Sequence, residues 1–205
     1  MSTLAALALL LALASPAAAH HVGTYTPRDN EITTNFKQIK FSLQAKKFDV
    51  ALRLFEEGAL RAAMREKAGT LPAGLESGTR AALQSNDALE VERRLMIFFA
   101  ALARELALEA DQQLADGKLS REARAATGRR FLEAMWRYYN LVDFAVSSRD
   151  NKSSTAVRLA FDEAEGYVKT TSASEADKLR EPLRRIAQLL STLIDTPSAL
   201  PRRDS

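Results

Sequence analysis

Between Gly78 and Gly117 the chain carries neither glycine nor proline, and Ala, Leu, Glu and Arg dominate the stretch. These residues enter a helix at the lowest cost in side-chain freedom. Nowhere does the chain show a sustained alternation of β-branched and polar residues, so no strand is expected. The reading is all-α: a single up-and-down bundle of five to six helices behind an N-terminal signal peptide.

Polar and small residues set the expected boundaries. Asp29 or Asn30 caps a first helix that carries Ile32, Phe36, Ile39 and Leu43 at helical spacing. The run AKKFD then breaks the chain, and a second helix carries Phe48, Ala51, Leu52 and Phe55 and ends near Gly58. Residues 67–83, with Gly69, Pro72, Gly74 and Gly78, read as a loop. A long helix follows from Ser85 or Asp87 to Ala115. Another starts at Ser120, with Glu122 in its first turn, bends at Gly128 and reaches Ser148. Ser153 or Ser154 opens the next, which ends near Lys169. Ser174 and Asp177 form a capping box for the last helix, where Pro182 imposes a bend or restart near Glu181. Residues 29–195 make the bundle, and residues 196–205 a disordered tail.

The segment LQAKKFDVALRLFEEGAL resembles one tetratricopeptide helical hairpin, with Phe48, Ala51, Phe55 and Gly58 at the matching positions. Such hairpins are stable only as stacks of about three. Residues 81–95, one period later, show no self-similarity, so an ordinary helix pair is expected.

The N-terminus carries an address. Residues 4–14 are all Leu or Ala, too short a run for the ~20 residues that span a bilayer. Ser15, Pro16 and three alanines follow, the arrangement of a secretory signal peptide, although no Lys or Arg precedes the apolar run. Small residues at Ala17 and Ala19 place cleavage after residue 19, leaving residues 20–28 as an extended mature N-terminus. Ser15 and Ala17 permit an alternative cut before Ala18. The expected compartment is periplasmic or extracellular. No second apolar run of spanning length follows.

Both histidines of the chain, His20 and His21, lie at that cut. A free α-amine beside an imidazole is a ligand set for Cu or Ni. With no cysteine and no third histidine, a Cys/His structural zinc site is excluded, as are disulfides, Fe–S ligation and a lipid-bearing cysteine. A net charge of +3 is spread in both signs along the chain. The clusters Lys37/Lys40/Lys46/Lys47, Arg129/Arg130 and Arg184/Arg185 read as solvated helix faces, and no nucleic-acid partner is expected.

Chemistry inside the bundle is sought where a helix breaks its own pattern. Glu92 lies one turn before Met96, on the apolar side of the long helix. Asp143 sits at the edge of the face formed by Phe131, Leu132, Met135, Tyr138, Tyr139, Val142 and Val146. Glu163 lies one turn before Tyr167, and Asp162 and Glu165 are expected to face water. Three converging carboxylates would suit Fe, but carboxylate-bridged di-iron bundles also use Glu-x-x-His pairs, and no histidine follows His21. Helical periplasmic proteins of the imelysin class are an architectural analogy, but their His-x-x-Glu motif is absent. Trp136, Tyr138, Tyr139 and Tyr167 form the aromatic set that would line a ligand or partner pocket; aromatics at this spacing more commonly build core. A Ser-His-Asp triad lacks its base, and no Gly-x-Ser-x-Gly elbow, P-loop or dinucleotide fingerprint occurs. The expectation is an exported, non-catalytic helical protein that binds an envelope protein or a small ligand. Metal handling is the alternative, and an enzyme is disfavoured.

Overall fold

The computed structural model describes residues 28–169 and 178–195. The signal peptide, His20 and His21, the Ser174–Asp177 box and the tail lie outside the described residues. Among those described there are eight helices and no strand. They are α1 Glu31–Gln44, α2 Phe48–Glu57, α3 Ala59–Glu66, α4 Leu75–Gln84, α5 Ala88–Leu114, α6 Arg121–Arg149, α7 Asn151–Lys169 and α8 Arg180–Asp195.

Caps explain most of the boundaries. Asn30 Oδ1 accepts from the Thr33 backbone N–H at 2.9 Å, and Thr33 Oγ1 accepts from the Asn30 N–H at 2.9 Å, a reciprocal box that opens α1. Asp87 Oδ1 accepts from the Glu90 N–H, Ser120 Oγ from the Ala123 N–H, and Asp150 Oδ1 from the Ser153 N–H. Asp150 is also the only residue between α6 and α7. Its cap starts α7 two to three residues earlier than the serines suggest. Pro182 falls in the first turn of α8, where the missing N–H costs nothing.

More helices form than the sequence reading expects, for two local reasons. Gly58 adopts an extended conformation and splits α3 from α2. Residues 67–83 are not one loop. Gly74, left-handed at φ 70°, caps α4, and Leu75, Thr79, Ala82 and Leu83 bury one face. Gly78 masks this helix in sequence. A β-carbon there would lie 2.0 Å from the Arg94 guanidinium, which crosses the helix to reach the Gly74 carbonyl.

The helices form two layers that share α5. In the second half α5 packs on α6 and α8, and α7 closes the ring by packing on the same two. α6 and α7 are antiparallel: as positions fall along α6 they rise along α7, from Asp143 with Ser154, through Trp136 with Phe161, to Arg129 with Val168. The middle of α5, from Leu95 to Ala103, is buried all round, as a central helix must be. α6 runs on through Gly128, and the missing side chain admits Leu179.

In the first half α1 packs on α2 and α3, and α4 packs on α2 and α5. The α1–α2 and α4–α5 connections are alike. Each follows a Leu-Gln pair, and each places one residue in the left-handed region, Lys46 at φ 57° and Asn86 at φ 58°, one residue before the cap position. Ala51 and Phe55 in one hairpin and Val91 and Leu95 in the other are buried at matching places. The similarity absent from the side chains of residues 81–95 is present in the backbone turn and the burial pattern.

Candidate functional site

α1 and α6 both lean on α5, and the ring contacts Phe36–Phe99, at 4.8 Å, and Phe99–Tyr138, at 5.9 Å, close the space between them. Asn30 Nδ2 donates to the Tyr138 hydroxyl at 3.1 Å and ties the start of α1 to α6 at the same level. Beyond this closure an open cleft of about 360 Å³ is left between the three helices. Its floor is the buried Phe36, Leu43, Leu95, Met96 and Val142. Two large apolar side chains stand on its lip with nothing over them: Leu89 is 62% exposed and Phe144 82%.

Three ionisable groups line the same cleft: Lys40 on α1, Glu92 on α5 and Arg149 on α6. Arg149 Nη1 rests 3.9 Å from Met96 Sδ. Loss of water and the neighbouring Arg93 hold the Arg149 pKa below its ordinary value, against the opposing pull of Glu92 and Glu90. Glu90 is already committed, at 2.6 Å, to Arg93 and to Arg94. Among the described residues none of Lys40, Glu92 and Arg149 makes a salt bridge.

The sequence-derived candidates fall elsewhere or play other parts. Glu92 is exposed at the cleft rather than buried, because neither α1 nor α6 extends over it. Asp143 accepts from Ser154 Oγ at 3.0 Å and from the Arg158 guanidinium through both oxygens. Glu163 accepts from the Tyr167 hydroxyl at 3.2 Å and from Arg185 at 2.7 Å. Glu165, expected in water, is 7% exposed and meets Lys169 at 3.1 Å. Glu92, Asp143 and Glu163 are not brought together. Among the described residues no three Asp, Glu, His or Cys side chains form a cluster able to hold a metal ion.

The aromatic set is mostly core. Trp136 and Tyr139 are buried against Phe161, with ring centroids 5.2 Å and 6.0 Å away. Tyr138 belongs to the closed end of the cleft, and the half-buried Tyr167 is bonded to Glu163. Burial, reinforced by the Asp143 carboxylate, pushes the Tyr139 phenol above its ordinary value.

Sequence reasoning missed Lys40, Leu89, Phe144 and Arg149. A signal did exist for Phe144: it lies two residues from both Val142 and Val146, off the stripe that α6 buries. Whether a flanking helix covers such a residue depends on tertiary packing that the local pattern does not contain.

Fold and site together define an all-helical protein with an open apolar cleft where a stack of short helices meets a four-helix ring. No family model matches the chain, and neither a curated protein nor a solved structure matches it. Among the described residues no helix is long and apolar enough to cross a membrane.

Proposed function

We propose that this is an exported, non-catalytic helical protein whose α1/α5/α6 cleft receives a small apolar ligand or the apolar side chains of an envelope protein. The observation that carries this reading is the cleft itself, with Phe144 and Leu89 exposed on its lip above a floor of buried apolar groups. Concave, mostly apolar sites with a few polar groups are where proteins hold small ligands, and large apolar side chains left in water beside one mark a contact surface. The cleft lining offers no nucleophile paired with a base, which supports binding over catalysis. Export is supported by the apolar run at residues 4–14 and the small residues that follow.

The test is titration with a neutral apolar fluorophore, N-phenyl-1-naphthylamine. Saturable binding at one site is expected. It should vanish in Ala145→Trp, which fills the cleft from α6, while the helical circular dichroism stays unchanged. Failure of the wild-type protein to bind any apolar probe saturably would remove the small-ligand half of the reading. Unaltered binding in Ala145→Trp would remove the cleft.

A further inference from the structure

We infer that the occupant of the cleft is a single-chain amphiphile with an anionic head group, its chain on the apolar floor and its head between Lys40 and Arg149. The inference rests on the reading of the cleft as a binding site and goes further by naming the ligand chemistry.

Size sets the scale. At about 360 Å³ the cleft lies near the lower end of the range for small-molecule sites, about 300–1,000 Å³.

Charge decides next. Lys40 on the α1 wall and Arg149 on the α6 wall face one carboxylate, Glu92, and make no salt bridge among the described residues. Elsewhere on the same helices ionic groups meet: Lys37 with Asp29, Glu90 with Arg93 and Arg94, Asp143 with Arg158. The cleft thus keeps a cationic excess on its walls. The partly desolvated Arg149, with Arg93 nearby, gains from any anion brought to it. A bare inorganic anion leaves the apolar floor and lip unused, and a cationic amphiphile meets two like charges. An alkyl carboxylate satisfies both parts.

Isothermal titration of the full chain with dodecanoate and dodecyltrimethylammonium below their micellar concentrations, and with dodecanol below its solubility limit, tests this. Dodecanoate should bind with one site and about tenfold more tightly than dodecanol, since each partly exposed charge contact is worth about two- to fivefold. Lys40→Gln/Arg149→Gln should erase the difference while leaving dodecanol binding intact, and Glu92→Gln should tighten dodecanoate. Equal affinities for dodecanoate and dodecanol in the wild type would overturn the head-group assignment and leave the apolar cleft standing. Tightest binding of the ammonium compound would overturn it with the opposite sign. Dodecanoate binding unchanged in Ala145→Trp would place the ligand elsewhere. Binding of none of the three would sink the small-ligand reading as well.

Discussion

Asn35 occupies the place where Gly58 would carry a side chain: a β-carbon on Gly58 would lie 2.2 Å from Asn35 Oδ1. From there Asn35 Nδ2 donates to the Leu54 carbonyl at 2.9 Å, and Oδ1 accepts from the Leu60 N–H at 3.1 Å. One buried amide thereby satisfies a carbonyl near the end of α2 and an N–H at the start of α3, groups that the break at Gly58 orphans. Asn35→Ala is expected to cost about 2 kcal/mol or more, because it leaves buried polar groups without partners. Gly58→Ala should cost about 3 kcal/mol, because its β-carbon would meet both the amide and, at 2.3 Å, the Leu54 backbone carbonyl, which cannot swing away. The two losses should be partly non-additive in urea unfolding, since removing Asn35 relieves the clash with the amide but leaves the clash with the carbonyl. Additive losses would show that Asn35 and Gly58 act separately.

Gly128 and Leu179 make the corresponding close approach in the second half. A β-carbon on Gly128 would meet Leu179 Cδ2 at 2.3 Å, with Val168 Cγ1 at 3.1 Å behind it. Both residues are buried, so Gly128→Ala is an overpacking change of about 1–3 kcal/mol despite its gain in helix propensity. Combining it with Leu179→Ala should recover part of the loss. A neutral Gly128→Ala variant, measured by thermal unfolding, would mean that the segment carrying Leu179 yields easily.

The Tyr139 hydroxyl is buried beside Asp143 and Ser154 without closing a hydrogen bond of its own, while Asp143 is taken up by Arg158 and Ser154. Tyr139→Phe removes the unsatisfied group and keeps the ring against Trp136 and Phe161. It should be neutral or stabilising by up to about 1 kcal/mol. A loss of 1 kcal/mol or more would show that the hydroxyl is bonded in solution.

Stability should fall in acid for stated reasons. Arg61 hydrogen-bonds Glu76, and Arg93 does the same for Glu90. Both carboxyls are held below their ordinary value of 4.5. At Asp111 burial pushes the pKa up, but the bonds from Arg180 and Arg184 outweigh it and keep the carboxyl below 3.8. A carboxylate with a lowered folded pKa stabilises fully above its unfolded value and loses that contribution as pH falls through the folded one. Urea midpoints should therefore hold steady near neutrality and drop from about pH 5 downward. Glu76→Gln should show a smaller acid loss than the wild type. An equal loss would remove Glu76 from the cause.

The export reading predicts an intact mass, for protein recovered from the periplasm or medium of an expressing bacterium, that begins at His20 or Ala18. An uncleaved mass would overturn it. The same sample mixed with Cu(II) tests the histidine pair: one retained copper, lost in His20→Ala/His21→Ala, would locate a metal there.

The parts of the fold legible in sequence are those fixed by short-range chemistry. The caps at Asn30, Asp87 and Ser120 and the break at Lys46 follow from local residues, as does the absence of strands among the described residues. Misreadings arise where one residue serves a distant neighbour. Gly78 looks like a loop glycine but makes room for Arg94, and Gly128 looks like a hinge but makes room for Leu179. Glu92 looks buried by periodicity, yet whether a third helix covers it depends on how α1 and α6 splay. The second left-handed turn escaped detection because Asn86 and Lys46 share a backbone conformation and no side-chain chemistry.

The double duty of α5 has a consequence for how this chain can be divided. It is the second arm of the α4–α5 hairpin and also the helix on which α6 and α8 rest. A cut before Ala88 would strip the later helices of nothing in α5 but would bare the face that α4 covers; a cut after Leu114 would bare the faces on α6 and α8. Either cut leaves an apolar face uncovered, so truncation or transplantation of one half should carry α5 together with the neighbours on both of its sides.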